Sequence, residues 1–264
     1  MSLPFLLEIG TEEIPDWMIV QGLNHLQDSF QKLLDQHGLG GKVSMADATP
    51  RRLVIQAKGV IPKQLNTEEQ LLGPPKSAGP GAASGFARKM GTTVDQLLTT
   101  ATERGDYYLF KKRVEGRRTA EILAESLPAL IIGIPWPKTM YWNGKGSSRF
   151  IRPVRWIVAL LGGEVVPFEI EGVRSGDTTE GHRVLGSRSI AVTAETFEQQ
   201  LRDNFVELNS EARYRRIADF VESAGAKLDT ELARTLAYIT EWPTPIAGTF
   251  DQSICSFRAR SWSR

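Results

Sequence analysis

Residues 135–182 read PWPKTMYWNGKGSSRFIRPVRWIVALLGGEVVPFEIEGVRSGDTTEGH, and the fold is decided inside this stretch. Arg152-Pro153 must be extended, because the proline ring disfavours helix at the residue before it. Val154 to Leu161 then reads as an apolar strand. Gly162-Gly163 suits a tight hairpin turn, and Glu164 to Ile170 is expected to return as the partner strand. Pro167 places that return strand at an edge or a bulge, since it cannot donate to a ladder.

Upstream of the hairpin the chemistry changes. From Pro135 to Gly163 the chain carries Lys138, Lys145, Arg149, Arg152 and Arg155 and no acid. Trp136, Tyr141, Trp142, Phe150 and Trp156 are interleaved with these cations. Cations neutralise phosphates, flat rings stack on unpaired bases, and small residues allow close backbone approach, so the pattern suits a nucleic-acid surface. A buried hairpin with a solvated cationic edge fits the same pattern. Period-two alternation separates Arg152 from Arg149 and Arg155, so the latter two, with Lys138, are expected to address one phosphate patch.

Working outward, Leu3 to Gly10 is a short apolar run that reads as a buried strand. Thr11-Glu12-Glu13-Ile14-Pro15 reads as the cap and first turn of a helix carrying Met18, Ile19, Leu23, Leu26, Phe30, Leu33 and Leu34, closed by His37-Gly38. Lys42 to Ala48 and Leu53 to Val60 read as strands joined by Thr49-Pro50-Arg51-Arg52, a turn whose arginines are expected to be exposed. An exposed pair of this kind grips a phosphate or carboxylate, or is merely solvated. Residues 73–81 are rich in Pro and Gly and read as a loop or hinge, followed by a short helix over Ala82 to Met90. These glycines match neither G-x-x-x-x-G-K-[ST] nor G-x-G-x-x-G, which argues against a nucleotide loop. Val94 to Thr102 is expected as a weak helix, Asp106 to Val114 as a strand, and Thr119 to Ile132 as an apolar helix. After the hairpin, Ser189 to Val192 is expected as a strand. Helices are expected over Ala194 to Asp203, Ser210 to Ala224 (basic at Arg213, Arg215 and Arg216) and Leu228 to Trp242.

A net charge of +1 over 264 residues means that any nucleic-acid footprint must come from local clustering. The 41% of hydrophobic residues is ordinary for a globular chain with one good core or two modest ones. One cysteine, Cys255, allows no internal disulfide and no cysteine-rich zinc site. No apolar run reaches a membrane span, and MSLPFLLEIGTEEIP lacks a basic n-region, so a cytoplasmic protein is expected. His182 beside Arg183 has no Ser/Asp or Cys partner in motif spacing, and reads as a structural histidine before a catalytic one. No catalytic or metal-binding constellation is expected in this chain.

Several ordered segments carry a resemblance: LLEIGTEEIP at Leu6 to Pro15, ATPRRL at Ala48 to Leu53, GFARKMG at Gly85 to Gly91, PKTMYW at Pro137 to Trp142, RFIRPVRWIVALLGGEVVPFEIEG at Arg149 to Gly172, and GHRVLG at Gly181 to Gly186. In these the chain resembles the beta subunit of the bacterial heterotetrameric glycyl-tRNA synthetase. The resemblance implies an enzyme of two alpha and two beta subunits that attaches glycine to tRNA(Gly) with ATP. The adenylation site, with its ATP and Mg, is expected in the alpha subunit, so no cofactor is expected in this chain. It further implies that this chain is the N-terminal part of such a subunit, contributing tRNA binding and assembly and not aminoacylating alone. The alternative is a non-catalytic RNA-binding or assembly module. Residues expected to contact tRNA are Arg51, Arg52, Lys138, Arg149, Arg152, Arg155, His182 and Arg183.

The expected architecture is α+β, with mixed sheet portions, packed helices and a helical C-terminal tail. The portions are 1–75, an N-terminal α/β unit; 76–192, a central sheet with the basic aromatic hairpin; 193–250, a helical segment; and 251–264, an aberrant tail. The family continues past Trp242-Pro243 with an apolar, leucine-containing segment, whereas Ile254 to Arg264 has no strand or helix period. One choice of codons for this tail, read two nucleotides on, gives Leu-Gln-Leu-Pro-Arg-Glu-Val-Leu-Val. The tail is therefore expected to be a frameshift product, without order after about Ser253.

Overall fold

The run that opens the chain is an interior strand. In the computed structural model, which describes residues 2–249 other than 104 and 145, β1 (Leu3–Thr11) leads into α1 (Asp16–Gln36), β2 (Gly40–Thr49) and β3 (Arg52–Val60). β4 (Thr67–Pro75), α2 (Pro80–Lys89), β5 (Leu98–Thr102) and β6 (Gly105–Val114) follow, then α3 (Thr119–Ile132). A small hairpin, β7 (Met140–Tyr141) and β8 (Arg149–Phe150), precedes β9 (Val154–Leu161), β10 (Glu164–Val165), β11 (Glu169–Ile170), β12 (Val173–Gly176), β13 (Thr178–Thr179) and β14 (Ile190–Ala191). The described chain closes with α4 (Phe197–Asp203), α5 (Ser210–Ser223) and α6 (Thr230–Ile239). The class is α+β.

The main sheet has seven strands in the order β11-β12-β9-β1-β3-β2, with β10 pairing beside β9. Its ladders are antiparallel except β12 on β9, which is parallel. It draws strands from both the 1–75 and the 76–192 portions of the sequence. β1 and β9 are apolar over most of their length, Glu8 and Arg155 apart, because both faces of the sheet are covered. Alternation divides their side chains between two cores. Phe5, Leu7, Ile9, Leu53, Ile55, Ile157, Ala159 and Leu161 face α1 and α3. Leu6, Val54, Trp156, Val158 and Leu160 face the other way, onto Ile190, Val192, Phe197, Leu201, Val206 and Leu208. The polar exception on this second face of β1 is Glu8, fully buried.

A second sheet, β4-β6-β5, stands apart from the first in its pairing. Here the sequence expectation is corrected. Residues 94–102 are not a helix: Val94–Gln96 is a single 3-10 turn, and β5 pairs with β6 from Leu98 opposite Leu109 to Thr102 opposite Gly105. Leu-Thr-Thr-Ala-Thr is β-prone, and a ready partner strand outweighs its weak helical spacing. The Pro/Gly stretch is less of a loop than expected, since β4 continues through Gly73 to Pro75. Pro167 does more than mark an edge: it splits the expected return strand into β10 and β11. The last helix stops at Ile239, three residues short of expectation, with Thr240 extended, so Glu241 is released from the helix. No helix among the described residues is long and apolar enough to cross a membrane. The expected frameshifted tail lies outside the described residues.

Candidate functional site

Two arginines that the sequence places at an exposed turn are inside the protein. Arg52 has no solvent exposure and Arg51 only 8%. The turn between β2 and β3 packs at the end of the second core, where β1 contributes Glu8, β9 Trp156, β13 Thr179, and the chain after α6 Glu241. Arg52 donates from Nε to Glu241 Oε1 (3.0 Å) and from Nη1 to Glu8 Oε1 (2.9 Å) and to the Glu180 carbonyl (2.8 Å). Thr49 donates its hydroxyl to the same Glu241 oxygen at 2.7 Å. Arg51 Nη2 lies 3.0 Å from Glu180 Oε2, and Nη1 3.9 Å from Glu241 Oε2. Both guanidiniums sit 5.3 Å from the Trp156 ring. Trp156 is therefore packed against cations in the interior, where it can stack on no base.

This packing depends on Gly10, which pairs with Trp156 across the β1–β9 ladder and with Arg52 across the β1–β3 ladder. A Cβ at Gly10 would stand 2.0 Å from the indole ring atoms. Burial raises the Glu8 carboxyl above its ordinary value, and the Arg52 charge, the Thr179 hydroxyl and the Trp156 indole oppose it without prevailing. The geometry agrees, since Arg52 divides its charge between two carboxylates. Burial alone would lower Arg52, but Glu241 and Glu8 reverse that and hold it above its usual value.

Beside this buried network opens a cleft of about 270 Å³. Arg155 of β9, with Arg51, His182, Arg183 and Arg188, supplies its cationic lining, and Glu12 and Glu180 its acidic one. The loop from Glu180 to Arg188 is shaped by backbone bonds: Gly181 N–H to Ser187, Gly186 N–H to His182, and His182 N–H to Asn204. The His182 ring accepts the N–H groups of Val184 and Leu185 at Nδ1, 3.3 and 3.2 Å away, which puts the ring proton on Nε2. Glu12 bridges two guanidiniums, 2.8 Å from Arg155 Nε and 3.6 Å from Arg183 Nη2, while Glu13 holds Arg183 Nη1 at 2.6 Å. The two acids were expected to cap α1. Pro15 stands at that cap without a side-chain bond, and the acids turn to the arginines instead. The run that is acid-free in sequence is thus not acid-free in space. Arg188 is exposed and has no ion pair among the described residues.

Of the eight expected contact residues, the cleft gathers Arg51, Arg155, His182 and Arg183. Arg52 lies behind it. Arg152 is spent on backbone, donating to the carbonyls of Glu13 and Ile151. Arg149 lies 5.1 Å over the Tyr141 ring in the β7–β8 hairpin and Lys138 is exposed, and neither lines the cleft with Arg155. The expected three-residue patch is therefore divided. The interleaved aromatics are mostly core: Trp136 and Phe150 meet edge to face at 5.6 Å, and Trp136 fills the space over Gly22. Tyr141 is the one left exposed.

Sequence reasoning missed Glu8, Glu180, Glu241 and Arg188, and it read Arg213 only as one of three basic residues of the helix expected over Ser210 to Ala224. Arg213 is fully buried and donates to the carbonyls of Ala48, Glu207, Leu208 and Ala237, fastening α5 and α6 to β2. A carboxylate within an otherwise apolar strand, as Glu8 is in LPFLLEIG, was the available signal that a buried cation would be needed.

This arrangement of sheet, buried network and cleft can be set beside known proteins. The family model described as glycyl-tRNA synthetase beta subunit matches residues 5–257. A glycine–tRNA ligase beta subunit from Acidobacterium capsulatum is 38% identical, over 94% of this chain and 37% of its own length. Those from Halalkalibacterium halodurans and Syntrophus aciditrophicus are 35% and 33% identical, each over 96% of this chain and 38% of its own. The chain spans less than two-fifths of the length of these curated relatives. The match takes in every strand of the main sheet and all the residues of the cleft, and on it the chain belongs to the glycyl-tRNA synthetase beta subunit family.

Proposed function

We propose that this chain serves a glycine–tRNA ligase as the part of its beta subunit that binds tRNA(Gly) and contributes to assembly with the alpha subunit and a second beta subunit. ATP-dependent adenylation, with its Mg, is assigned to the alpha subunit. The observation that supports tRNA binding is the convergence of Arg155, Arg183 and Arg188 on one open cleft beside His182, from segments that meet only in the fold. Guanidiniums at a surface recess suit phosphate oxygens, which they engage through paired N–H groups. Arg155 and Arg183 are about half exposed, so their bonds to Glu12 and Glu13 are weak and exchangeable. Arg149 over Tyr141 offers a second, separate contact point.

The test is binding of tRNA by this chain, alone and with added alpha subunit, alongside an assay for ATP-dependent glycine transfer. The chain alone should bind tRNA without transferring glycine. Replacing Arg155, Arg183 and Arg188 together by Ala should weaken binding and reduce the log–log salt slope by roughly 0.7–0.9 for each phosphate no longer engaged. An unchanged slope would remove the cleft from tRNA binding.

A further inference from the structure

A second cleft of about 270 Å³ adjoins the first and shares Arg51, His182 and Arg183 with it. Its character is different. Pro50, Val184, Ile239 and Trp242 give it an apolar wall, built where the end of α6 passes the 182–185 loop, and Glu13, Thr240 and Glu241 complete its lining. Val184 and Ile239 are exposed, at 81% and 48%, although nothing in the described fold covers them. Thus an arginine-lined recess and one with an apolar wall lie side by side, and Arg51, His182 and Arg183 line both. Their volumes suit a small ligand, not a length of chain. Double-stranded RNA keeps its base faces stacked and would present phosphates, sugars and base edges to such a pair of recesses. An unpaired nucleotide presents a phosphate and, one sugar away, a flat base whose open faces can lie on apolar surface.

We infer that the two clefts form one subsite for a single unpaired nucleotide, with its phosphate among Arg155, Arg183 and Arg188 and its base against Val184, Ile239 and Trp242. The inference rests on RNA being the ligand of this site and adds which kind of RNA it takes. His182 lines both recesses, and its Nε2–H, not used by the turn bonds at Nδ1, is the donor it can offer to a ligand there. A base placed there gains contact with apolar surface whatever its identity, so selection should be for unpaired structure over sequence.

The experiment compares a short unstructured oligouridylate with a blunt RNA duplex, each as a direct ligand and as a competitor for tRNA. The chain should bind the single strand better than the duplex. Ile239→Ser and Val184→Ser, both at exposed positions, should each weaken oligouridylate binding by about tenfold and leave its salt slope unchanged. Arg188→Ala should lower the slope. Equal binding of both RNAs, with the two serine variants silent and Arg188→Ala still lowering the slope, would overturn the single-nucleotide inference and leave tRNA binding standing. Silence in all three variants would overturn both. If the serine variants lose affinity for the alpha subunit and not for RNA, the apolar recess is a protein contact and the inference falls.

Discussion

Arg52 and Arg188 bring the same guanidinium to neighbouring places and meet opposite surroundings. Arg52 has no exposure and is held by Glu8, Glu241 and the Glu180 carbonyl, whereas Arg188 is exposed at the mouth of the cleft, without an ion pair among the described residues. The difference lies in desolvation. A guanidinium withdrawn from water is tolerable only when its donors meet acceptors, so Arg52 is committed to the fold and organises the strands and tail around it. One left in water has little to lose by exchanging solvent for a phosphate. Sequence separation conceals the difference, because the partners of Arg52 lie 44 and 189 residues away.

The comparison breaks first at its buried end. Arg52→Ala should cost about 3–5 kcal/mol in denaturant unfolding, because it strands two buried carboxylates. A loss below about 0.5 kcal/mol, as expected of an exposed turn, would show the network to be idle. Next in size, Gly10→Ala should cost about 1–3 kcal/mol or more, since a methyl group there collides with the Trp156 ring and no flexible chain end can yield. Near-UV circular dichroism should report the displaced indole.

A smaller effect concerns pH. The folded Glu8 carboxyl titrates above its ordinary value of 4.5, so the native state holds this proton more firmly than the unfolded chain. Its contribution to stability is full below that value and is lost as pH rises through the folded pKa. Glu8→Gln should flatten that decline in a series of unfolding curves, and a parallel decline in parent and variant would contradict the shift. The smallest expected change is at the surface. Glu12→Gln should free Arg155 and Arg183 and raise tRNA affinity about two- to fivefold, with stability within about 0.5 kcal/mol. Lower affinity would mean that Glu12 helps to form the site.

Much of the fold was legible where pattern and packing agree. α1 carries its apolar residues at helical spacing and is found within one residue of expectation, and β9 is apolar from Trp156 to Leu161 because sheet covers both its edges and core both its faces. β5 was not legible, because five residues of mixed polarity take their conformation from β6. The site was half legible. Arg155 and Arg183 could be named from local charge, but Glu12 beside them depends on β1 and β9 pairing, and the burial of Arg51 and Arg52 on Glu241 leaving its helix early. Alternation placed Arg149 with Arg155, but the chain between them is not one strand: β8 ends at Phe150 and β9 begins at Val154.

The most direct test of the division between committed and available arginines is Arg188→Ala, followed in tRNA binding across a salt series and in thermal melting. The expected result is an unchanged melting temperature and a log–log salt slope reduced by roughly 0.7–0.9. A lowered melting temperature with the slope intact would place Arg188 with Arg52, in the fold, and contradict the division.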